Sequence, residues 1–345
     1  MGIEMTKDLE QIDPKTLIGI LAMGPLLSQA CYVAAKLGIA DLLAEGPLSV
    51  GQLAIRTGSN EGALYRILRA LVSIGMFREV ESKVFELTER ADPLRSNVSG
   101  SFRNYLIFMG ENWHCGVWCN MLYSVRTGKP AWEYTHGAEI FDYFTANPDQ
   151  ATIFNSVMTD MSIIAASEII EAYDFSQFSK IADIGGGHGL LLAQVLKANP
   201  TAKGVLFDTP SVIADADTTL KSEGVANRIE KVSGDFFRAV PSGADAYIMK
   251  YIVHDWADES CIAILQNINA AMPVHGKLLI MEGVVPDTDE WHPSKISDLL
   301  MLVVTGGMDR TEEEYKQLLS RAGFRLTRIL VTSTGLCIIE AEKLS

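Results

Sequence analysis

The sequence predicts an α/β protein in two parts: a helical N-terminal part with a winged helix, and a C-terminal part built on a doubly wound sheet. From about residue 180, strand-like runs alternate with helical runs, which is typical of a mostly parallel sheet. The last two strand-like runs are separated only by a short turn, which indicates an antiparallel hairpin. After residue 48, two capped helical segments precede two short β segments, the order found in a winged helix.

Length and composition are those of a globular protein with more than one domain. The chain has 345 residues, of which 48% are apolar and 21% are charged. Its net charge of −14 would repel phosphate backbones, so we expect no nucleic-acid partner. Five scattered cysteines form neither a disulfide framework nor a zinc-binding pattern. Together with an N-terminus that lacks the features of a signal peptide, they favour a cytoplasmic location.

An apolar helical segment is predicted over residues 14–43, with no charge between Lys15 and Lys36. The dipeptide Gly24-Pro25 is expected to break it. The segment is therefore interpreted as a helix pair at a subunit interface and not as a membrane span. A monomer would expose this surface, so we expect a homodimer formed through the N-terminal domain, and no membrane partner.

The winged helix is predicted from cap residues and apolar spacing. Ser49 is expected to cap a short helix, and Ser59 and Asn60 to cap a second helix that ends at Gly75. Short β segments follow near 76–79 and 84–87.

Winged helices often bind DNA, but the charge of this region argues against that function. Residues 1–100 carry 10 basic and 12 acidic side chains. We therefore predict that 1–100 is a dimerisation domain.

Residues 101–178 are rich in aromatic side chains and are predicted to be a helical linker that contributes to an acceptor pocket. Aromatic and methionine side chains suit a flat, apolar ligand, and Trp113, Phe154 and Met158 are the candidates for contacting it. The alternative is that these side chains only form the helical core that joins the two domains.

The third predicted domain is 179–345. Its expected strands are KIADIG, KGVLFD, RIEKVS, DAYIMK and GKLLIMEG, followed by the hairpin strands RLTRILV and LCIIEAE. A Rossmann-like sheet that ends in an antiparallel hairpin is typical of the methyltransferase fold and distinguishes it from the dehydrogenase fold.

A glycine-rich loop follows the first of these strands and reads Asp183-Ile-Gly185-Gly-Gly187-His-Gly. Glycines here allow a ligand to approach the backbone closely. A dinucleotide-binding loop would need Gly or Ala where Leu190 stands, and the acid before the loop would repel a pyrophosphate. Asp183, Gly185 and Gly187 instead suit a ligand with an ammonium and a sulfonium, namely S-adenosylmethionine.

The next two strands end in further candidates for the cofactor site. Asp208 could accept hydrogen bonds from ribose hydroxyls, or it could cap the helix that follows. Asp235 could accept from the adenine amino group, and Phe236 could cover the adenine ring. For these two residues, the alternative is a simple turn at a strand end.

The fourth strand ends in Lys250-Tyr-Ile-Val-His254-Asp255-Trp256. With this segment the chain resembles the winged-helix, cation-independent, S-adenosylmethionine-dependent O-methyltransferases. The glycine motif, GDFF, HDW, GVVP, AGF and the winged helix all occur in the order of that family. The family includes plant caffeate and flavonoid enzymes, acetylserotonin O-methyltransferase and bacterial natural-product enzymes.

The resemblance implies roles for residues near the HDW motif. His254 would be the general base that deprotonates the acceptor, and Glu282 would be one of two acids beside it. Asp309 stands where the family usually has Glu, so a backbone shift, a bridging water or orientation by Glu282 alone would have to compensate. Lys250 would contact the cofactor region or remain solvated.

Two further residues are candidates for contacting the acceptor. Asp255 would either do so or cap the helix that starts near Asp258. Met301 would either line the acceptor pocket or belong to the core.

We therefore expect an S-adenosylmethionine-dependent O-methyltransferase that acts on a small phenolic or enolic metabolite of secondary metabolism, without a metal. One alternative is the same fold with diverted chemistry, in which the bound cofactor supports hydroxylation or decarboxylation. Another is a winged-helix regulator that senses a small molecule.

Overall fold

The structure is a computed structural model and describes residues 12–98, 100–333 and 335–344. The described residues form two compact units. One contains the residues up to Cys119 together with Phe141–Met161, and the other contains Asn120–Ile140 and the residues from Ser162 onward. The three-part division at residues 100 and 178 stays a prediction.

The first unit holds the winged helix, in which Ser49 and Asn60 cap the two helices as predicted, whereas Ser59 is not a cap. The Ser49 hydroxyl accepts from the Gln52 amide, and the Asn60 side chain accepts from the Ala63 amide. The strands pair in the order β1-β3-β2, all antiparallel. The elements up to residue 118 are α1 Pro14–Lys36, α2 Ile39–Leu43, β1 Leu48–Ser49, α3 Val50–Thr57, α4 Glu61–Ser73, β2 Phe77–Glu81, β3 Val84–Leu87, α5 Arg103–Gly110 and α6 Asn112–Trp118.

The expected helix break at Gly24-Pro25 is wrong. Helix α1 runs through Pro25 and ends at Lys36, and Gly38 separates it from α2. Gly38 has φ of +66°, which other residues rarely adopt, whereas Pro25 removes only one backbone hydrogen bond. By length and composition, both α1 and Pro148–Ala172 are apolar enough to cross a membrane.

The second unit contains the large sheet, whose strands follow the sequence prediction closely. The strand order is β10-β11-β8-β7-β4-β5-β6, and the short β9 pairs with β8. β4 to β8 are parallel, whereas β10 and β11 form the antiparallel hairpin. The strands are β4 Lys180–Ile184, β5 Lys203–Asp208, β6 Ile229–Ser233, β7 Ala246–Lys250, β8 Lys277–Val285, β9 Arg310–Thr311, β10 Phe324–Val331 and β11 Leu336–Lys343.

Helices cover both faces of this sheet. Alternate strand residues enter opposite apolar clusters: Ala182 and Met249 lie in one cluster, and Ile181 and Ile248 lie in the other. The helices from residue 121 onward are α7 Met121–Thr127, α8 Ala131–His136, α9 Ile140–Ala146, α10 Pro148–Ala172, α11 Leu190–Ala198, α12 Pro210–Ser222, α13 Asp258–Ala271, α14 Pro293–Val304 and α15 Glu312–Arg321.

The topology brings the candidate residues to one edge of the sheet. Because β4, β5, β6 and β7 are parallel neighbours, the loops after them begin at the same edge. In open α/β sheets, ligands bind beyond these carboxyl ends. The predicted cofactor residues and His254 lie at the ends of these strands or in the loops that follow them.

Candidate active site

His254 lies in a one-turn 3-10 helix, Val253–Asp255, directly after β7. Its imidazole Nδ1 is 3.2 Å from Asp309 Oδ1, and its Nε2 is 3.8 Å from Asp255 Oδ1. The His254 side chain is 12% exposed, and that of Asp309 is 1% exposed. Burial alone would lower the pKa of His254, but the hydrogen bond to Asp309 and the charges of Asp255 and Glu282 outweigh it and raise the pKa to about 9.

Asp309 therefore reaches the imidazole directly, although it is one methylene shorter than the Glu that the family usually has. Two successive residues of α14 hold it in place. The Ser297 hydroxyl donates to Asp309 Oδ2, and the Asp309 backbone amide donates to Asp298 Oδ1 at 3.0 Å. Asp309 does not cap the helix that follows it, because Thr311 is the N-cap of α15.

Glu282 contacts the turn that carries His254 through the backbone of that turn. It is fully buried on β8, and its Oε1 accepts from the amides of Ile252, Val253 and His254 at 2.9, 2.6 and 3.2 Å. Its Oε2 accepts from the Tyr315 hydroxyl at 2.6 Å. Three backbone donors on one carboxylate oxygen fix the position of the turn. The imidazole of His254 forms its hydrogen bond with Asp309 and not with Glu282.

The carbonyl groups of the same turn are held from the other side. The buried Arg310 guanidinium donates to the carbonyl oxygens of Val253 and Trp256 at 3.1 and 3.0 Å. The Met308 amide donates to His254 O at 2.9 Å. A Cβ at Gly307 would lie 2.0 Å from that same oxygen, so the second glycine of the Gly306-Gly307 pair is required for this close approach.

The glycine-rich loop presents an open backbone, and the acid before the loop keeps one carboxylate oxygen without a hydrogen-bond partner, which suits a cationic ligand. Gly185 and Gly187 have φ of +70° and +58°, and a Cβ at Gly187 would meet nothing within 4 Å. Asp183 Oδ2 is buried and has no hydrogen-bond partner among the described residues. Burial raises the pKa of Asp183 to about 7, Lys250 opposes the rise and Asp208 adds to it.

The ends of β5 and β6 complete this region. The Asp208 carboxylate accepts from the amides of Gly187 and Thr209 at 2.9 and 2.7 Å. Thr209 is the N-cap of α12, so the interpretation of Asp208 as that cap is wrong. Asp235 accepts from the Phe237 amide at 2.9 Å. A Cβ at Gly185 would lie 3.9 Å from Phe236, which places the Phe236 ring beside the glycine loop.

Lys250 ends β7 beside Asp183. Burial lowers the pKa of Lys250 to about 8, and the negative charges of Asp183 and Glu282 oppose that change. Its Nζ lies 4.3 Å from the centroid of the Tyr251 ring. The buried Asp183 carboxylate and the half-buried Lys250 ammonium act on each other's charge, and they fit the ammonium and the carboxylate of a methionyl group. We therefore conclude that the residues present fit S-adenosylmethionine.

The acceptor candidates lie in both units. In the first, Trp113 and Phe154 belong to an aromatic cluster with Phe108 and Phe144, with ring centroids 4.8 to 6.0 Å apart. Met158 follows on the same helix and is half-buried.

The second unit holds the two other acceptor candidates. Met301 on α14 is 7% exposed. Asp255 does not cap α13, because Ala257 occupies that position. Burial raises the pKa of Asp255 to about 6, while His254 lowers it.

Sequence reasoning did not find Ser297, Tyr315 or Arg310, which hold the side chains and backbone around His254. Arg310 directly follows Asp309 in the sequence and could have been found from that position. Ser297 and Tyr315 carry no signal in the sequence. Among the residues that the structure describes, no group of three or more His, Cys, Asp or Glu side chains could hold a metal ion.

Two regions of the chain match known protein families. Residues 118–325 match the O-methyltransferase domain, and residues 21–96 match the O-methyltransferase dimerisation domain. The chain is similar to the phenazine O-methyltransferase of Lysobacter antibioticus, with 42% identity over 319 residues that cover 92% of this chain and 93% of that protein.

Two further proteins, with lower identity, are also similar to this chain. An 8-amino-8-demethylriboflavin N,N-dimethyltransferase of Streptomyces davaonensis is 38% identical over 316 residues, covering 90% of each chain. The crystal structure of human N-acetylserotonin methyltransferase in complex with S-adenosylmethionine has a TM-score of 0.88 and 28% identity, covering 97% of this chain and 99% of that one.

Proposed function

Because the chain belongs to the S-adenosylmethionine-dependent O-methyltransferases, as its motifs predicted, we propose that it methylates a hydroxyl of a small aromatic metabolite, phenolic or enolic, with His254 as the general base. The observation that supports this proposal best is the pairing of His254 with Asp309 at the edge of the sheet that also holds the glycine loop. The relatives named for phenazine and serotonin derivatives act on planar ring systems, which agrees with such an acceptor.

The cofactor would be held by Asp183, Gly185, Gly187, Asp208, Asp235, Phe236 and Lys250. When bound, S-adenosylmethionine supplies the methyl group and a neutral thioether leaving group. Asp183 would accept from an ammonium, since its free oxygen is buried without a partner. Asp208 would accept from ribose hydroxyls, and Phe236 would cover the adenine ring.

His254 would take the proton of the acceptor hydroxyl at Nε2, because Nδ1 is occupied by Asp309. The deprotonated oxygen would then be ready to accept the methyl group. With a pKa of about 9, only about 1% of the imidazole is neutral at pH 7. A cation bound nearby lowers that pKa and increases the neutral fraction. Asp309 and Asp255 then stabilise the imidazolium that forms.

Asp255 and Met301 of the second unit would contact the acceptor. Trp113, Phe154 and Met158 of the first unit stay candidates predicted from the sequence. The protein would act as a homodimer in the cytoplasm. The dimer would form through the domain matched by 21–96, whose helix α1 has several apolar side chains that are more than half exposed: Ile18, Leu21, Met23 and Leu26.

The test begins with calorimetric titration of S-adenosylhomocysteine and, separately, of NADH. Binding of the first and not of the second supports the cofactor assignment. Hydroxylated phenazines, phenols and matched arylamines are then incubated with S-adenosylmethionine, and the products are identified by mass spectrometry. Methylation of hydroxyls supports the proposal. Methylation of amines alone would contradict the O-methyl assignment, and failure of S-adenosylhomocysteine to bind would contradict the cofactor site.

A further inference from the structure

Tyr251, between the cofactor-side Lys250 and the His254 turn, has an unusual backbone conformation. Its φ is +56°, and among the described residues only Lys83 shares a positive φ without being glycine. Lys83 lies in the exposed turn between β2 and β3. For a bulky aromatic residue this conformation is strained, and it persists only where the surroundings enforce it.

Hydrogen bonds on both sides enforce the conformation of Tyr251. Its own amide donates to the carbonyl oxygen of Met281 at 3.2 Å, which continues the pairing of β7 with β8. The next three amides all donate to Glu282 Oε1. The chain must therefore turn sharply at Tyr251 to pass from the strand to the buried carboxylate.

The Tyr251 ring contacts two functional groups. Lys250 Nζ is 4.3 Å from the ring centroid. The ring also stacks on the His254 imidazole, with centroids 5.4 Å apart and planes inclined by 20°. The face of an aromatic ring attracts a cation and also limits the rotation of a flat ring stacked against it.

We propose that Tyr251 is a positioning residue for methyl transfer, whose ring fixes the plane of the His254 imidazole and stabilises its protonated form. This inference rests on the proposed role of His254 as the base. The charged groups that act on His254 are Asp309, Asp255 and Glu282, and all three favour the imidazolium. The Tyr251 ring, stacked on the imidazole, adds a fourth, uncharged contribution.

The first test measures the protonation of His254 without a substrate. In protein labelled with ¹⁵N-histidine, the His254 signal is identified by its loss in His254→Ala and followed by NMR from pH 5 to pH 10.5. We expect Tyr251→Phe, which keeps the ring, to titrate like the wild type. Tyr251→Leu should lower the midpoint by about 0.5 pH unit, because it removes the aromatic face. An unchanged midpoint in Tyr251→Leu overturns the proposal.

The second test separates positioning from folding. Tyr251→Gly relieves the backbone strain, so it should melt no lower than Tyr251→Leu although it removes more side chain. Both variants should lower kcat about tenfold with little change in affinity for S-adenosylhomocysteine. Lys83→Gly is the matched control for strain relief and should keep the wild-type kcat and His254 midpoint. A wild-type kcat in Tyr251→Leu overturns the proposal.

The failure of the proposed function gives a different result. If the wild-type protein transfers no methyl group to any acceptor, the proposed function is wrong. The NMR titration needs no methyl transfer, so it still decides whether the Tyr251 ring sets the protonation of His254.

Discussion

Asp183→Asn is expected to stabilise the fold and to weaken cofactor binding. The buried carboxylate has a pKa of about 7, raised by burial from an ordinary value of 3.8. The folded state thus holds a proton that the unfolded state releases, and the stability of the protein falls as the pH rises from 3.8 through 7.

The magnitude follows from these two values. The two pKa values of Asp183 differ by about three units, and each unit corresponds to 1.36 kcal/mol. The charge on Asp183 above pH 7 therefore costs the folded state at most about 4 kcal/mol. An asparagine amide without an acceptor would restore about 1–3 kcal/mol of that cost. The net gain at pH 8 is about 1–3 kcal/mol, or about 1–4 °C in melting temperature for a chain of 345 residues. At pH 5 the gain should disappear, because Asp183 is then protonated.

The assay is thermal unfolding at pH 8 and pH 5, with calorimetric titration of S-adenosylhomocysteine at pH 8. The affinity should fall about 10–100-fold, since a charged hydrogen bond to the ammonium is lost. Asp215→Asn on the exposed face of α12 is the matched control and should change neither quantity. A lower melting temperature at pH 8, or an unchanged affinity, would refute the reasoning about Asp183.

Substitutions at two further positions test how the His254 imidazole is held in place. Asp309→Asn removes the carboxylate on Nδ1, so the pKa of His254 should fall by about 1–3 units and kcat by about 10²–10³-fold, as read from the pH dependence of kcat. The raised pKa of His254 stabilises the fold fully below pH 6.5 and ceases to do so as the pH rises through about 9, so this variant should lose more stability at pH 6 than at pH 10. Retention of the wild-type pH profile would contradict the pairing. Ser297→Ala should lower kcat about 3–10-fold because Asp309 loses a donor, whereas Ser297→Thr keeps the hydroxyl and should retain activity. Equal rates in Ser297→Ala and the wild type would show that the Ser297 hydroxyl does not hold Asp309.

The sheet was predictable because its strands carry their own signals. Most of the parallel strands are short apolar runs, and the predicted runs coincide with the strands to within about two residues. The capped helices at Ser49 and Asn60 were predictable for the same local reason. The two-residue strand β9 has no such pattern, because its pairing with β8 is fixed by tertiary contacts.

Residues of the site were predictable only where they belong to a sequence motif. His254, Asp183 and Asp309 stand in motifs, but the way in which Glu282 acts depends on the path of the chain. A carboxylate on β8 meets three amides only because Tyr251 adopts a positive φ, and nothing in the sequence indicates that angle. The path of α1 through Pro25 was mispredicted because one lost hydrogen bond is tolerated in a long helix.

The most direct test of the proposed function is the rate of methyl transfer by His254→Ala, measured beside its affinity for S-adenosylhomocysteine. Loss of the base should lower turnover of a hydroxylated acceptor by about 10²-fold or more and leave the affinity nearly unchanged. His275→Ala, at an exposed position, is the matched control and should behave like the wild type. Wild-type turnover in His254→Ala would contradict the assignment of His254 as the general base.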